Sequence, residues 1–357
     1  MNRKHFLKNV LGTAAAVTTG TSAMAMPDPP VVRSLAQPPY LQPGDIIGIT
    51  CPASPLEMKD MLNCSSALKK WGYEVCVGNT VGQVWERFGG SDAERAADVQ
   101  LMLDDPSIKA ILFARGGYGA MRMMDRVDWT SLRKNPKWLV GYSDITAIHC
   151  HVNAQFGLPT IHGDMVNGFK AIEDISTFSL KQVISGKRFE YRSPAFGLNR
   201  KGQATAMLVG GNLSLVAAML GSKSSLDTDG KILFLEEVSE YKYTLDRMMM
   251  SLKRSGKLDK LAGLIIGGIT ATKSDAETPF AMSVEEIIYE KVVDKNFPVC
   301  FNFPAGHIRN NMALKLGIYY TFRVTETGGS LTEVSSTLPL IPLPDIDSLL
   351  TPPAFLP

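Results

Sequence analysis

The sequence predicts an α/β fold: a parallel β-sheet unit followed by a second unit of strands and helices. Three observations carry this. Short strand-like runs alternate with stretches of helical spacing from Asp45 to His162, the pattern of a parallel sheet with crossover helices. Two Gly-containing motifs, Arg115-Gly-Gly-Tyr-Gly119 and Gly141-Tyr-Ser-Asp144, each follow a strand directly, at the carboxyl ends where sites in such sheets gather. Around Asp174 to Pro194 the pattern changes to one helix and a polar, irregular stretch, after which strands resume.

In chain order, Asp45 to Cys51 reads as a buried strand, and Leu56 to Trp71 as a helix stopped by Gly72. A strand follows at Tyr73 to Val77. Ser91 with Glu94 forms a capping-box signal for a helix ending near Asp105-Pro106. Further strands are expected at Lys109–Ala114, Trp138–Gly141 and Pro159–His162. The second unit offers strands at Ala204–Val209, Lys231–Leu235, Leu261–Ile266, Val299–Phe303 and Leu314–Val324. Helices at Asn212–Leu220, Thr244–Ser255 and Ser283–Val292 separate several of them. The expected boundaries are a leader over 1–25, a Pro-rich lead-in over 26–39, the sheet unit over 40–170, a linker over 171–201, the second unit over 202–336 and a Pro-rich tail over 337–357.

A chain of 357 residues is long enough for two domains. Its formal net charge of +2 comes with no basic stripe or run of like charge, which argues against nucleic acid or a membrane surface as partner. Beyond the N-terminus no apolar stretch is long enough to span a bilayer. The N-terminus itself reads as an export signal. Arg3, Lys4 and Lys8 lead into an Ala-rich apolar core at Val10–Val17, and Ala23-Met24-Ala25 is a small-x-small cleavage site. Asn2–Lys8 resembles a twin-arginine motif with Lys in the second Arg position, so the route stays open between twin-arginine and general secretion. Cleavage leaves a mature chain beginning near Met26, expected in a bacterial periplasm. The five cysteines, Cys51, Cys64, Cys76, Cys150 and Cys300, contain no C-x-x-C pair; buried free thiols are expected, with one disulfide possible.

The candidate chemistry starts from Ser143. A serine in the turn between an apolar strand and a helix is lifted toward solvent beside helix N–H groups, the setting of a nucleophile. It needs a base, and the base an orienting acid. His307 follows a strand at a Gly-marked turn, and Glu236 ends the strand Lys231–Leu235 with Glu237 beside it as an alternative acid. Arg115–Gly119 lacks the third glycine of a dinucleotide motif and reads as a tight turn whose bare backbone, at Gly116, approaches a ligand. The Gly117 and Asp144 N–H groups together make a candidate oxyanion hole, worth on the order of 3 kcal/mol per donor. Asn212 opens a helix after a strand and could present N–H groups to a carboxylate, while Ser214 is a rival nucleophile with a structural reading. His149 and His151 lie two apart on a helix, so they face different ways and make poor joint metal ligands.

Together these motifs resemble the LD-carboxypeptidases, or murein tetrapeptide carboxypeptidases. The likeness rests on Leu41–Asp45, Ala114–Gly119, Val140–Thr146, Ile161–Gly163, Gly210–Leu215, Phe234–Glu237 with Asp246-Arg247, and Ala305–His307, and runs from Pro39 to about Glu333. It implies a flavodoxin-like N-terminal domain, a smaller β-rich α+β C-terminal domain, a site at their junction and a homodimer. It implies a serine peptidase without metal or other cofactor, with Ser143 as nucleophile, Glu236 as orienting acid, His307 as base, and Gly117 and Asp144 as oxyanion hole. The implied reaction releases the terminal D-alanine from peptidoglycan tetrapeptide stems, with Arg115 as candidate holder of the substrate carboxylate. Relatives that cleave peptide–nucleotide antibiotics for self-immunity give a second reading. A non-catalytic periplasmic binding protein gives a third.

Overall fold

Five parallel strands build the first sheet: β1 (Ile46–Thr50), β2 (Glu74–Val77), β3 (Ile108–Phe113), β4 (Trp138–Gly141) and β5 (Thr160–His162). The computed structural model describes residues 37–170, 174–274, 279–334 and 340–341. The expected leader, most of the expected lead-in, residues 171–173 and nearly all of the expected tail therefore lie outside the described residues. The sheet order β2-β1-β3-β4-β5 is that of a flavodoxin-like fold, with its crossover between β1 and β3. The helices α1 (Met58–Lys70), α2 (Asp92–Asp104), the short α3 (Ala120–Met123) and α4 (Ser131–Lys134), and α5 (Thr146–Phe156) connect these strands. Ser91 caps α2 through the expected reciprocal bonds with Glu94, and Gly157 closes α5 in the left-handed region that a side chain would resist.

Beyond α6 (Ile175–Ile184) the second sheet forms. Its strands are β6 (Arg188–Pro194), β7 (Gly202–Asn212), β8 (Ile232–Val238), β9 (Gly263–Thr270) and β10 (Val299–Cys300). After β11 (Leu314–Leu316) come β12 (Tyr319–Thr325), β13 (Gly328–Glu333) and β14 (Leu340–Ile341). Eight strands lie in the order β10-β9-β8-β7-β12-β13-β6-β14, parallel from β7 to β10 and antiparallel through β12, β13 and β6. The helices α7 (Leu213–Ala218), α8 (Lys242–Arg254) and α9 (Val284–Glu290) join the parallel strands.

The structure departs from the sequence reading in three places. The stretch after α6, expected to be irregular, contains β6, whose Phe189, Tyr191 and Ser193 face inward while the residues between them do not. Leu314–Val324 is two strands rather than one. The chain turns at Gly317, with φ of +82°, so that β11 pairs antiparallel with β5 in the first sheet and β12 joins the second. β13 was not anticipated, because Gly328–Glu333 contributes only Leu331 to the core.

Both sheets belong to one compact unit. Period-two alternation divides their side chains between two apolar layers. Ile111 and Phe113 of β3 pack with Leu139, Ile148 and Leu213, and this layer continues to Leu233, Leu235 and Leu245. Ala110 and Leu112, facing the other way, pack with Ile49, Val140 and Ile161, continuing to Ile232, Phe234 and Phe322. The carboxyl ends of β3, β4 and β8 are thereby held rigidly, and the Gly-rich turn, Ser143 and Glu236 all sit at those ends.

Candidate active site

Ser143 occupies the left-handed region at φ of +62° and opens a single 3₁₀ turn, Ser143–Ile145, that follows β4 and runs into α5. A non-glycine residue held there stores about 1–2 kcal/mol of strain, which lifts its side chain out of the turn. Ile145 packs so closely over Gly141 that a Cβ on that glycine would lie 2.9 Å from the Ile145 side chain.

The Gly-rich turn after β3 lies directly against this serine. A Cβ on Gly116 would meet the Ser143 Cβ at 2.9 Å and its Oγ at 3.2 Å, so only bare backbone fits between them. Gly117, at φ of +96°, is pressed by Ser54 from the loop after β1, and the Ser54 N–H donates to the Gly116 carbonyl at 3.1 Å. Among the described residues neither the Gly117 nor the Asp144 N–H donates a hydrogen bond. Asp144 fixes the far end of the turn, where its Oδ2 accepts from the Ala120 N–H at 2.8 Å. Burial pushes its carboxyl up to about 6, against the opposing Ala120 N–H and Arg95 guanidinium.

From the second sheet come the other partners. Glu236, fully buried, lies near the carboxyl end of β8 on the layer that faces the Ala305–His307 loop. The His307 Nδ1–H donates to Glu236 Oε2 at 2.6 Å, and the His307 backbone N–H donates to the same oxygen at 3.2 Å. A carboxylate can only accept, so Nδ1 carries the proton and Nε2 keeps its lone pair. The ring packs 4.8 Å from the ring of Tyr142, the residue before Ser143, while among the described residues Ser143 Oγ makes no hydrogen bond to it. Burial works against the imidazolium. The Glu236 hydrogen bond and the charges of Glu236 and Glu237 outweigh it, holding His307 above its ordinary value.

Glu237 points the other way, as alternation along β8 requires. It accepts from Asn212 Nδ2, the Val238 N–H, and both the N–H and Oγ of Ser214. Its hydrogen bonds thus hold the start of α7, and the hydrogen bond to His307 belongs to Glu236. This also locates Ser214 and Asn212. The Ser214 hydroxyl is tied to Glu237 at 2.6 Å, and Asn212 Oδ1 caps α7 at the Leu215 N–H. The Asn212 N–H donates to Thr146 Oγ1 at 3.0 Å, joining the second sheet to the helix behind Ser143. Arg115 is exposed and reaches toward the Pro55 carbonyl, at 3.5 Å. His149 Nε2 donates to the Gly141 carbonyl and His151 Nδ1 meets Ser224 Oγ, so the two histidines serve different partners. The described cysteines are all free.

Sequence reasoning missed the side chains that hold these parts in place. Buried Arg95 binds the Gly90, Pro52 and Gly119 carbonyls, tying three loops at the mouth of the first sheet. Asn311 holds the His307 loop. Its Oδ1 accepts from the Gly306 N–H at 2.8 Å, and its Nδ2 donates to Asp164 Oδ1 at 3.0 Å. Gly306 itself must be glycine, since at φ of +107° a Cβ would lie 2.6 Å from that of Glu236. Only the Gly306-His307 pair had a local signal; Asp164 and Asn311 are 147 positions apart.

This clamp yields a prediction. Asn311→Asp sets two carboxylates against each other and removes a donor, so kcat falls by about 10²-fold through misplacement of His307. Adding Asp164→Asn restores the bond with its polarity reversed, and most of the rate returns. Steady-state kinetics of the single and double variants check it; failure of the double variant to recover refutes the clamp.

Residues 47–163 match the LD-carboxypeptidase N-terminal domain and residues 205–322 the LD-carboxypeptidase C-terminal domain. A probable murein peptide carboxypeptidase of Bacillus subtilis (strain 168) is 33% identical over 289 residues, covering 79% of this chain and 89% of the relative. The crystal structure of a muramoyltetrapeptide carboxypeptidase from Oxalobacter formigenes superposes with a TM-score of 0.74 at 24% identity, covering 81% of this chain and 99% of that one. The microcin C7 self immunity protein MccF, in complex with aspartyl sulfamoyl adenosine, gives a TM-score of 0.74 at 21% identity, covering 83% of this chain and 98% of its own.

Proposed function

The chain belongs to the LD-carboxypeptidase family and is a serine-type carboxypeptidase; on that footing we propose that it removes the terminal D-alanine from muramoyl tetrapeptide stems of peptidoglycan through Ser143, Glu236 and His307. Family membership sets aside the reading of a non-catalytic binding protein. The observation that carries the proposal is the 2.6 Å bond from His307 Nδ1 to buried Glu236, with the imidazole packed beside the strained serine turn.

In the proposed reaction, small closure brings His307 Nε2 to Ser143 Oγ and takes its proton as Oγ attacks the carbonyl preceding D-alanine. The Gly117 and Asp144 N–H groups receive the developing oxyanion. Collapse breaks the C–N bond, and His307 gives its proton to the leaving amine. Water, deprotonated by the same imidazole, then hydrolyses the acyl-serine. Arg115, on the exposed side of the Gly turn, is the proposed partner of the terminal carboxylate. Incubating the purified protein with a muramoyl tetrapeptide yields tripeptide and free D-alanine in equal amounts by mass spectrometry. An intact tetrapeptide after prolonged incubation rejects the proposal. The fold likeness to MccF keeps a second reading, cleavage of a peptidyl–nucleotide, so an aspartyl nucleotide conjugate belongs in the same substrate panel.

The rate also follows pH in a definite sense. The base must be neutral, so kcat/KM rises with pH through the raised His307 value and levels above it. Stability runs the opposite way. The His307–Glu236 pairing contributes fully below the unfolded imidazole value of about 6.5, and this contribution is lost as pH rises through the folded value. An acid limb centred below the ordinary imidazole range contradicts the assignment.

We further propose that the N-terminal segment exports the protein to the periplasm, where trimming of tetrapeptide stems is its natural role, and that it works there as a homodimer. Cell fractionation with and without residues 1–25 tests the first, and sedimentation of the mature protein the second. No helix among the described residues is long and apolar enough to cross a membrane.

A further inference from the structure

The loop between β2 and α2 ends in a tight hairpin that core packing does not explain. Trp85 and Phe88 exchange backbone hydrogen bonds of 2.9 Å in both directions, leaving Glu86 in the left-handed region at φ of +55°. A charged, unbranched side chain gains nothing from that conformation, and glycine is its usual occupant. What the strained tip does is present Trp85 and Arg87. The indole is stacked on Phe88, with ring centroids 5.9 Å apart and planes 26° from parallel, yet remains 47% exposed. Phe88 in turn meets Tyr118 at 5.8 Å, and Arg87 lies over the Tyr118 ring at 5.4 Å. Tyr118 is 43% exposed.

This ledge is built rather than incidental. The loop's first residues, Asn79 and Thr80, are fixed by the buried carboxylate of Asp98, and its end by the Arg95 bond to the Gly90 carbonyl. Arg95 also lies beneath Phe88, 4.8 Å from its ring, and Gly119 closes against the same ring. The ledge is continuous with the proposed catalytic turn, because Tyr118 sits between Gly117 and Gly119, one turn from the backbone that touches Ser143. Its surface alternates flat aromatic faces with guanidinium groups. A ligand suited to it has an apolar flat face and a polar edge. An aliphatic peptide side chain offers the first without the second. A pyranose ring offers both, its C–H face to the indole and its hydroxyl and amide oxygens to Arg87.

Resting on the proposed action upon muramoyl tetrapeptides, we propose that Trp85, Tyr118 and Arg87 form a subsite for the sugar end of the substrate. The test compares the free tetrapeptide with the same tetrapeptide carried on its disaccharide. Trp85→Ala lowers kcat/KM for the disaccharide form by about tenfold, the loss of one good aromatic stack, and leaves the free peptide within about twofold. Equal losses on both substrates, or no loss on either, overturn the subsite. So does conversion of a dimer to a monomer by Trp85→Ala, which makes the ledge a contact between copies. If neither substrate is cleaved by the unaltered protein, the peptidase reading fails separately. The ledge is then tested by titrating the peptide-free disaccharide and following tryptophan fluorescence. Saturable binding that Trp85→Ala abolishes supports it; no binding to the unaltered protein refutes it.

Discussion

Ser143→Ala lowers kcat by about 10⁵-fold or more while leaving the affinity for the tetrapeptide nearly unchanged. The size follows from what the hydroxyl does in the proposed reaction. Without it no acyl-enzyme forms, and what survives is the residual contribution of the oxyanion donors and of substrate positioning. Affinity is spared because the Gly turn, Arg115 and the ledge keep their places when one oxygen is removed. The backbone supplies a second readout at the same position. At φ of +62° alanine inherits the strain that serine carries, whereas glycine does not. Ser143→Gly is therefore no less stable than Ser143→Ala by thermal unfolding, reversing the usual order in which glycine costs about 0.5–1 kcal/mol. Strain without activity loss, or activity retained above about one part in a hundred, excludes Ser143 as nucleophile. Kinetics and unfolding on the same preparations decide between these outcomes.

The residues that were legible in the sequence owe it to local physics. Gly141 and Ser143 stand out because a buried strand, a glycine and a helix start fall within a few positions. Ser91 with Glu94 announces its helix because capping is complete within four residues. Glu236 and His307 are visible as chemically apt residues at strand ends; the residues alone left Glu236 and Glu237 open, the resemblance pointed to Glu236, and the face of β8 on which each projects shows which of them meets His307. Phe189 and Tyr191 carried a period-two signal that the surrounding Arg188, Glu190 and Arg192 obscured, so β6 read as irregular chain. The break at Gly317 moves the chain from one sheet to the other. A single glycine does not declare such a move, because the strand-like sequence resumes at once. Arg95 and Asp164 illustrate a different limit. A charged residue reads as surface until folding surrounds it with the carbonyls or amide that justify its burial.

Glu236→Gln is the second large effect, and it separates an orienting acid from a merely structural one. The amide is nearly isosteric, so the buried site stays filled. It can still accept from Nδ1–H, but equally it can turn its NH₂ toward the ring, and then Nδ1 becomes the acceptor and Nε2 carries the proton. That tautomer cannot take a proton from Ser143, and the lost charge no longer stabilises the imidazolium that forms during attack. Together these lower kcat by about 10³–10⁴-fold. The pH profile distinguishes this from damage to the fold. Burial already opposes the charged imidazole, and the Glu236 hydrogen bond and charge are what overcome it. With them removed, only the more distant Glu237 charge still opposes burial, so the His307 value drops and the acid limb of the residual kcat/KM moves to lower pH. Glu237→Gln gives the contrasting result. Glu237 accepts from Ser214, Asn212 and Val238 around the start of α7, so its loss is felt mainly as a lower unfolding temperature. Its charge acts on His307 only from a distance, so the acid limb shifts less than for Glu236→Gln. If Glu237→Gln has the larger effect on kcat and on the acid limb, the roles of the two adjacent carboxylates are reversed, and the relay from Ser143 through His307 to Glu236 is wrong.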